Sequence, residues 1–353
     1  MATDSIGGAA DPERAALTYH GGSLDAARRL FPDAPEPWID LSTGINPWRH
    51  PIEPLDASAW ARLPQTTALA ELEAAAAQAY GARFASGVIA APGTQALVQL
   101  LPRLVRGRKV GILGLTYSEH ERSWRRAGVD VQAIDRLDDL AECDVAVIVN
   151  PNNPDGRLIR APKLAKLAQA LAAQRGTLIV DEAFMDVVRP SESLVLQLPQ
   201  TGAIVLRSFG KVFGLAGLRL GFAVASPDIA PALREALGPW AVSGPAITIG
   251  TRALGDRGWL AKTIDRLAAG AARLDRMLHE AGLRVIGGTP LFRLAAHEQA
   301  GRWFERLGRA GILARPFAAR SEWLRFGIPP DDEEVWSRLR NVLQSARRPP
   351  FGD

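Results

Sequence analysis

The feature that most constrains this chain is a repeated alternation between short, largely apolar runs and longer segments of helical period. After Asp144, the run Val145-Ala-Val-Ile-Val149 is apolar at successive positions, with no polar alternation. A strand of that kind fits a parallel sheet covered by helices on both faces. The pattern predicts strands at 87–91, 109–113, 130–134, 144–149, 176–180 and 203–207. Helices are expected between them at 67–80, 94–105, 118–127 and 160–174. This is an α/β fold: a large domain of about 48–250 with a mostly parallel sheet.

A helical stretch at 248–282 then leads to strands near 283–287, 291–295, 312–315 and 323–327, mixed with helices 297–310 and 331–345. With the segment 19–47, residues 251–353 are expected to form a smaller α+β substrate-binding domain, and residues 1–18 a flexible start. At 353 residues, the chain is long enough to bury its core without metal or disulfide staples. Its single cysteine and five scattered histidines leave no zinc-type cluster, so no metal and a reducing, cytoplasmic setting are expected. No run approaches the roughly 18 apolar residues that span a bilayer, and the first twenty residues lack a secretory pattern, so no membrane partner is expected. Lys and Arg (42) barely exceed Asp and Glu (38) and form no block, which argues against nucleic acid.

Open α/β sheets bind ligands beyond the carboxyl ends of their strands, so the residues after each strand carry the functional reading. Pro92-Gly93-Thr94-Gln95 opens a helix; free N–H groups there suit a phosphate, although Thr94 as a plain N-cap explains the same residues. Tyr117 follows the next strand and offers a flat face, or simple packing. Asn150-Pro-Asn-Asn-Pro-Asp-Gly156 holds Asn153 at a strand tip, where an ordinary turn is the other reading. Asp181-Glu-Ala-Phe184 places a carboxylate where only a cationic neighbour offsets its desolvation. Ser208-Phe-Gly-Lys211 and Gly217-Leu-Arg219-Leu-Gly221 set two cations in a glycine-rich apolar stretch. In this order the residues match the needs of pyridoxal 5′-phosphate: an amine for its aldehyde, an anion for its ring nitrogen, a donor for its 3-oxygen, a stacking face and a phosphate cradle.

Over residues 20–345 the chain resembles the fold-type I pyridoxal-phosphate enzymes, specifically the class I/II aminotransferase group, on Asn153-Pro-x-Gly, Asp181-x-Ala, Ser208-x-x-Lys211 and Gly217-x-Arg219-x-Gly221. The resemblance implies that Lys211 forms the Schiff base and shuttles protons, and that Asp181 pairs with the ring nitrogen. It implies that Asn153 serves the 3-oxygen, that Tyr117 stacks, and that Gly93, Thr94, Ser208 and Arg219 hold the phosphate, with Gln95 among the cofactor contacts. A lysine titrating at about 10.4 when free needs a depressed pKa for this role, for which Arg219 is the expected source.

His20-Gly21-Gly22, Ser42-Thr-Gly44-Ile45-Asn46-Pro47 and Phe184 resemble the branch of this family that works in cobalamin biosynthesis. That branch implies decarboxylation of L-threonine O-3-phosphate to (R)-1-amino-2-propanol phosphate. Its substrate contacts would be His20, Gly44, Ile45, Asn153, Arg315 and Arg325, with Arg325 of the Leu-Arg-Phe-Gly stretch on the carboxylate. His20 also reads as a histidine without a role, and Arg315 as half of a surface salt bridge. A histidinol-phosphate-type aminotransferase is the alternative. A non-catalytic cofactor-binding sensor is a third, disfavoured because no helix-turn-helix precedes residue 20. The family resemblance also implies a homodimer.

Four positions depart from the family pattern. Phe184 replaces a tyrosine that bonds the 3-oxygen, and Leu63 a tyrosine that reaches across a dimer to the phosphate. Gly44 stands where related decarboxylases have asparagine, and Asp155 replaces a turn threonine.

Overall fold

The computed structural model describes Glu13, Ala16, Leu17 and residues 20–345. The flexible start expected at 1–18 otherwise lies outside the described residues. The chain divides into two compact units: one is Trp48–Leu267, and the other runs to Pro47 and resumes at Ala268. The division falls inside the helix Arg257–Glu280.

Strand β1 (Ile39–Asp40) belongs to the unit that begins the chain. In the unit Trp48–Leu267, seven strands form one sheet: β2 (Val88–Ala91), β3 (Lys109–Leu113), β4 (Asp130–Ile134), β5 (Val145–Val149), β6 (Thr177–Asp181), β7 (Ala203–Ser208) and β8 (Gly221–Ala225). Their order is β2-β8-β7-β6-β5-β3-β4. Every pairing is parallel except those of β8, which runs against both its neighbours. Strand β8 was not expected from the sequence, because its apolar run follows directly on a glycine-rich loop.

The sheet is covered as its apolar strands require. Leu97, Val98 and Leu101 of the helix Thr94–Leu104 pack with Trp124 against Val110, Ile112, Val145, Val147, Ile179, Ile204 and Leu206. Helix Ala161–Ala173 buries Leu164, Leu167, Ala168 and Leu171 at helical spacing. Each large side chain so buried contributes about 1.5–3 kcal/mol.

The helical stretch expected at 248–282 is broken into Gly244–Gly255 and Arg257–Glu280. Asp256 sits at the break, where its Oδ1 accepts from the Trp259 N–H at 2.9 Å, an N-cap bond that starts the second helix.

One charged cluster lies in the core. Arg207 on β7 donates to Glu182 at 2.9 Å and bonds Asp186, while its guanidinium lies 4.4 Å from the centre of the Tyr80 ring. Glu182 also accepts from Ser193 Oγ at 2.6 Å and Leu194 N–H at 2.7 Å. Burial alone would lower the Arg207 pKa, but Asp186 and Glu182 together hold it above its ordinary value. Replacing Arg207 with methionine would strand two buried carboxylates. The expected loss is about 3–5 kcal/mol at neutral pH, read as a lower urea midpoint.

In the other unit, β9 (Arg284–Thr289), β10 (Phe292–Ala296), β12 (Arg315–Pro316) and β13 (Trp323–Gly327) form an antiparallel sheet in the order β12-β13-β10-β9. Strand β11 (Ile312–Leu313) pairs in parallel with β1, which ties the start of the chain to its last third. Helix Ala300–Arg309 buries Trp303, Phe304 and Leu307, and a Cβ on its Gly308 would strike the Phe31 ring. Glu333, in the first turn of the helix Glu333–Ser345, accepts from Arg273 at 2.6 Å. Among the described residues, no helix is long and apolar enough to cross a membrane.

Candidate active site

Strands β2, β3, β5, β6 and β7 point the same way, so the loops after them share one edge of the sheet. Strand β8 runs the other way and therefore starts at that edge, in register with Ala91 on one side and Ser208 on the other. Arg219, two residues before β8, is thereby delivered beside Gly93 and Thr94.

Gly93 holds φ at +86° and occupies the N-cap position; helix begins at Thr94. The reading of Thr94 as a side-chain cap is thus corrected: it is the first helical residue, and the helix has no side-chain cap. A Cβ on Gly93 would lie 2.7 Å from Arg219 Nη2, and one on Gly221 would lie 2.5 Å from the Thr94 nitrogen. Backbone N–H groups, the helix dipole and a guanidinium therefore meet in a space that a methyl group would fill, with Ser208 alongside. Gly93→Ala combines backbone strain with displacement of Arg219. Cofactor affinity is expected to fall at least about tenfold, measured by absorbance titration.

Asp181 ends β6, and only 4% of it is exposed. Its Oδ2 lies 3.0 Å from Nε2 of the fully buried His120, and its Oδ1 accepts from the Ala183 N–H at 3.1 Å. From the sequence, the expected partner of this carboxylate is the cofactor's ring nitrogen; His120 beside it was not foreseen. His120 lies one helical turn after Tyr117, on the helix Ser118–Arg126. The Tyr117 hydroxyl donates to Gln95 Oε1 at 3.0 Å, and its ring meets His120 edge-to-face at 6.1 Å. Gln95 Nε2 in turn donates to buried Glu119 at 2.8 Å.

Asn153 is nine-tenths buried at the tip of β5. Its turn is held to the loop after β3, since Thr116 Oγ1 donates to Asn152 Oδ1 at 2.5 Å and Asn152 Nδ2 donates to Leu115 O at 3.0 Å. Asp155 has a structural use here: its Oδ1 accepts from Asn152 Nδ2 at 2.8 Å and from the Arg157 N–H at 2.9 Å.

Lys211 lies on the single turn Phe209–Val212 after β7. Phe209 stacks on Phe213 at 4.4 Å and Phe213 on Trp259 at 5.7 Å, and the His50 N–H donates to Phe213 O at 2.8 Å. The lysine's support is thus a ladder of rings. Lys211 Nζ lies 5.5 Å from the centre of the buried Phe184 ring. Phenylalanine at this position cannot bond an oxygen, but it offers the ammonium an aromatic face.

In the unit that begins the chain, His20 is half-buried, and the glycines after it press on Ser42. Gly22 N–H donates to Ser42 Oγ at 2.7 Å, and a Cβ on Gly21 would strike Ser42 O. Gly44 is buried and Ile45 half-buried in the same segment. Arg325 Nη2 donates to Ser42 O at 2.7 Å, and Gly327 packs on Thr43 O. Arg315 and Arg325 are register partners on β12 and β13, both buried. The surface salt-bridge reading of Arg315 is therefore set aside. Burial, and then the like charge of Arg315, push the Arg325 guanidinium well below its ordinary value. A bound anion would relieve that cost.

Residues 36–342 match the family model described as aminotransferase class I and II. The chain belongs to that family. It is 41% identical over 336 residues to a threonine-phosphate decarboxylase of Pseudomonas aeruginosa, covering 94% of this chain and 99% of that one. A protein of the same name from a Sinorhizobium species is 44% identical over 318 residues, 88% of this chain and 93% of the relative. In fold, the chain is similar to a histidinol-phosphate aminotransferase of Sinorhizobium meliloti solved with pyridoxal-5′-phosphate. The TM-score is 0.75 at 20% identity, covering 92% of this chain and 95% of that one.

As a member of this family, the chain carries donors that fit pyridoxal 5′-phosphate. The cradle at Gly93–Thr94 with Ser208 and Arg219 suits the phosphate. Asp181, held by His120, suits the ring nitrogen, and Lys211 is the one lysine at the carboxyl edge of the sheet. Lys109 starts β3 at the opposite edge, while Lys163, Lys166 and Lys262 lie on helices.

Proposed function

We propose that this chain is a pyridoxal-phosphate-dependent lyase that decarboxylates L-threonine O-3-phosphate to (R)-1-amino-2-propanol phosphate, for cobalamin biosynthesis. The observation that carries this reading is the likeness, over nearly the whole chain, to two relatives named for that activity. The paired buried guanidiniums of Arg315 and Arg325 add to it, because the substrate presents a carboxylate and a phosphate.

The bound cofactor supplies an electron sink for the pair left on Cα when carbon dioxide departs. Arg325 binds the carboxylate, and its fork orients the bond to be broken. Arg315, with His20, takes the phosphate. Asp181 keeps a negative charge at the ring-nitrogen end, and His120 fixes that carboxylate in place. Lys211 Nζ delivers a proton to Cα after the carboxylate has left. Phe184, which cannot donate to the 3-oxygen, leaves that bond to Asn153.

The experiment is incubation of the holoenzyme with O-phospho-L-threonine and mass analysis of the products. Carbon dioxide with aminopropanol phosphate, and no keto acid, is expected. Conversion of histidinol phosphate to its ketone, with 2-oxoglutarate taking up the amine to become glutamate, would instead make the protein an aminotransferase.

The functional unit in this proposal is a homodimer. Ile52, Trp60, Leu63 and Trp240 are 50–71% exposed in the single chain, an arrangement that a second copy would cover. Sedimentation at micromolar concentration should give twice the chain mass.

A further inference from the structure

The constellation around Tyr117 contains a buried carboxylate to which neither the family resemblance nor the reaction assigns a task. Glu119 is 5% exposed. Its Oε2 accepts from Gln95 Nε2 at 2.8 Å, and Arg122 lies 3.9 Å from its other oxygen. A side-chain amide can be turned end for end, and a carboxylate presents it with acceptor oxygens. Glu119 therefore dictates which end of Gln95 faces it. The amide oxygen must then face Tyr117, and the Tyr117 hydroxyl must donate, as it does at 3.0 Å. With His120 edge-to-face against the same ring, Tyr117 is held at two points.

We propose that Glu119 is a positioning residue for the cofactor pocket: through Gln95 it sets the hydroxyl of Tyr117 and so fixes the plane of the face that meets the cofactor ring. The inference rests on the cofactor reading above and adds to it a residue that touches no ligand. Glu119 and His120 are successive residues on one helical turn. One orders the stacking face and the other the carboxylate Asp181, so a shift of this turn disturbs both.

The test is made on holoenzymes, by visible circular dichroism of the bound cofactor and by its dissociation constant. Glu119→Ala should weaken cofactor binding about tenfold and flatten the dichroic band. Tyr117→Phe should do the same, and the double variant should be no worse than either single one, since both break one chain of bonds. Gln95→Glu sets two carboxylates against each other and should be as damaging. Adding Glu119→Gln to it re-creates the amide–carboxylate pair with the partners exchanged and should restore most of the affinity. Thermal midpoints of the apoproteins report any general loss of fold.

Multiplicative effects of the Glu119 and Tyr117 variants, or no recovery in the exchanged pair, would overturn the inference. An unchanged Glu119→Ala would do so as well. A wild-type protein that takes up no cofactor overturns the parent reading instead, and this inference with it.

Discussion

Lys211→Ala is expected to abolish turnover of O-phospho-L-threonine, with kcat lower by at least on the order of 10⁴-fold, because in the proposed reaction one side chain both tethers the cofactor and moves the proton. Two roles on one group make the loss larger than either would alone. The change should cost little stability: Lys211 is half-buried on a single helical turn, and Phe209, Phe213 and Trp259, which hold that turn, remain. Borohydride reduction of the wild-type holoenzyme should add the cofactor's mass to the peptide that carries Lys211 and to none with the other four lysines. Label on Lys109, Lys163, Lys166 or Lys262 would refute the site assignment, since none of these follows a strand at the carboxyl edge.

Asp181→Asn is expected to lower kcat about 10²–10³-fold while leaving the cofactor bound. The asparagine keeps the shape but not the charge, so in the proposed site the ring nitrogen would lose its anionic partner and the pocket would draw electrons from the substrate less strongly. His120 remains beside the new amide, which can still accept a hydrogen bond. Stability should therefore fall by about 1 kcal/mol, well short of the loss for an unpaired buried group. Asp181→Ala should cost more, because His120 is then left in the core without its acceptor. Steady-state rates with O-phospho-L-threonine and the visible spectrum of each holoenzyme separate the two effects. An Asp181→Asn enzyme within tenfold of wild type would remove Asp181 from the chemistry.

Much of the large unit was legible because its signals are local. Apolar runs marked β2 to β7 to within about a residue, and each candidate side chain of the sheet lies at or within a few residues of a strand end. Strand β8 was missed for a reason of the same kind. Gly217 before it and Gly221 at its start read as loop, and the strands it pairs with are set by the fold of the whole sheet. The break at Asp256 was hidden because helical periodicity continues on both sides, and only the cap bond to Trp259 marks the restart.

By itself, the sequence determined the alternation that makes a parallel sheet and the order in which a cradle, an aromatic face, an amide, a carboxylate and an amine follow its strands. Periodicity and strand ends are properties of neighbouring residues, so no knowledge of the rest of the chain is needed to read them. Only the tertiary structure decided that reversed β8 carries Arg219 to Gly93, that His120 meets Asp181, that Glu119 reaches Tyr117 through Gln95, and that Arg315 lies beside Arg325. Those pairings depend on which strands and helices come to lie side by side. That choice is made by burial summed over the whole core and leaves no trace in any short window of residues.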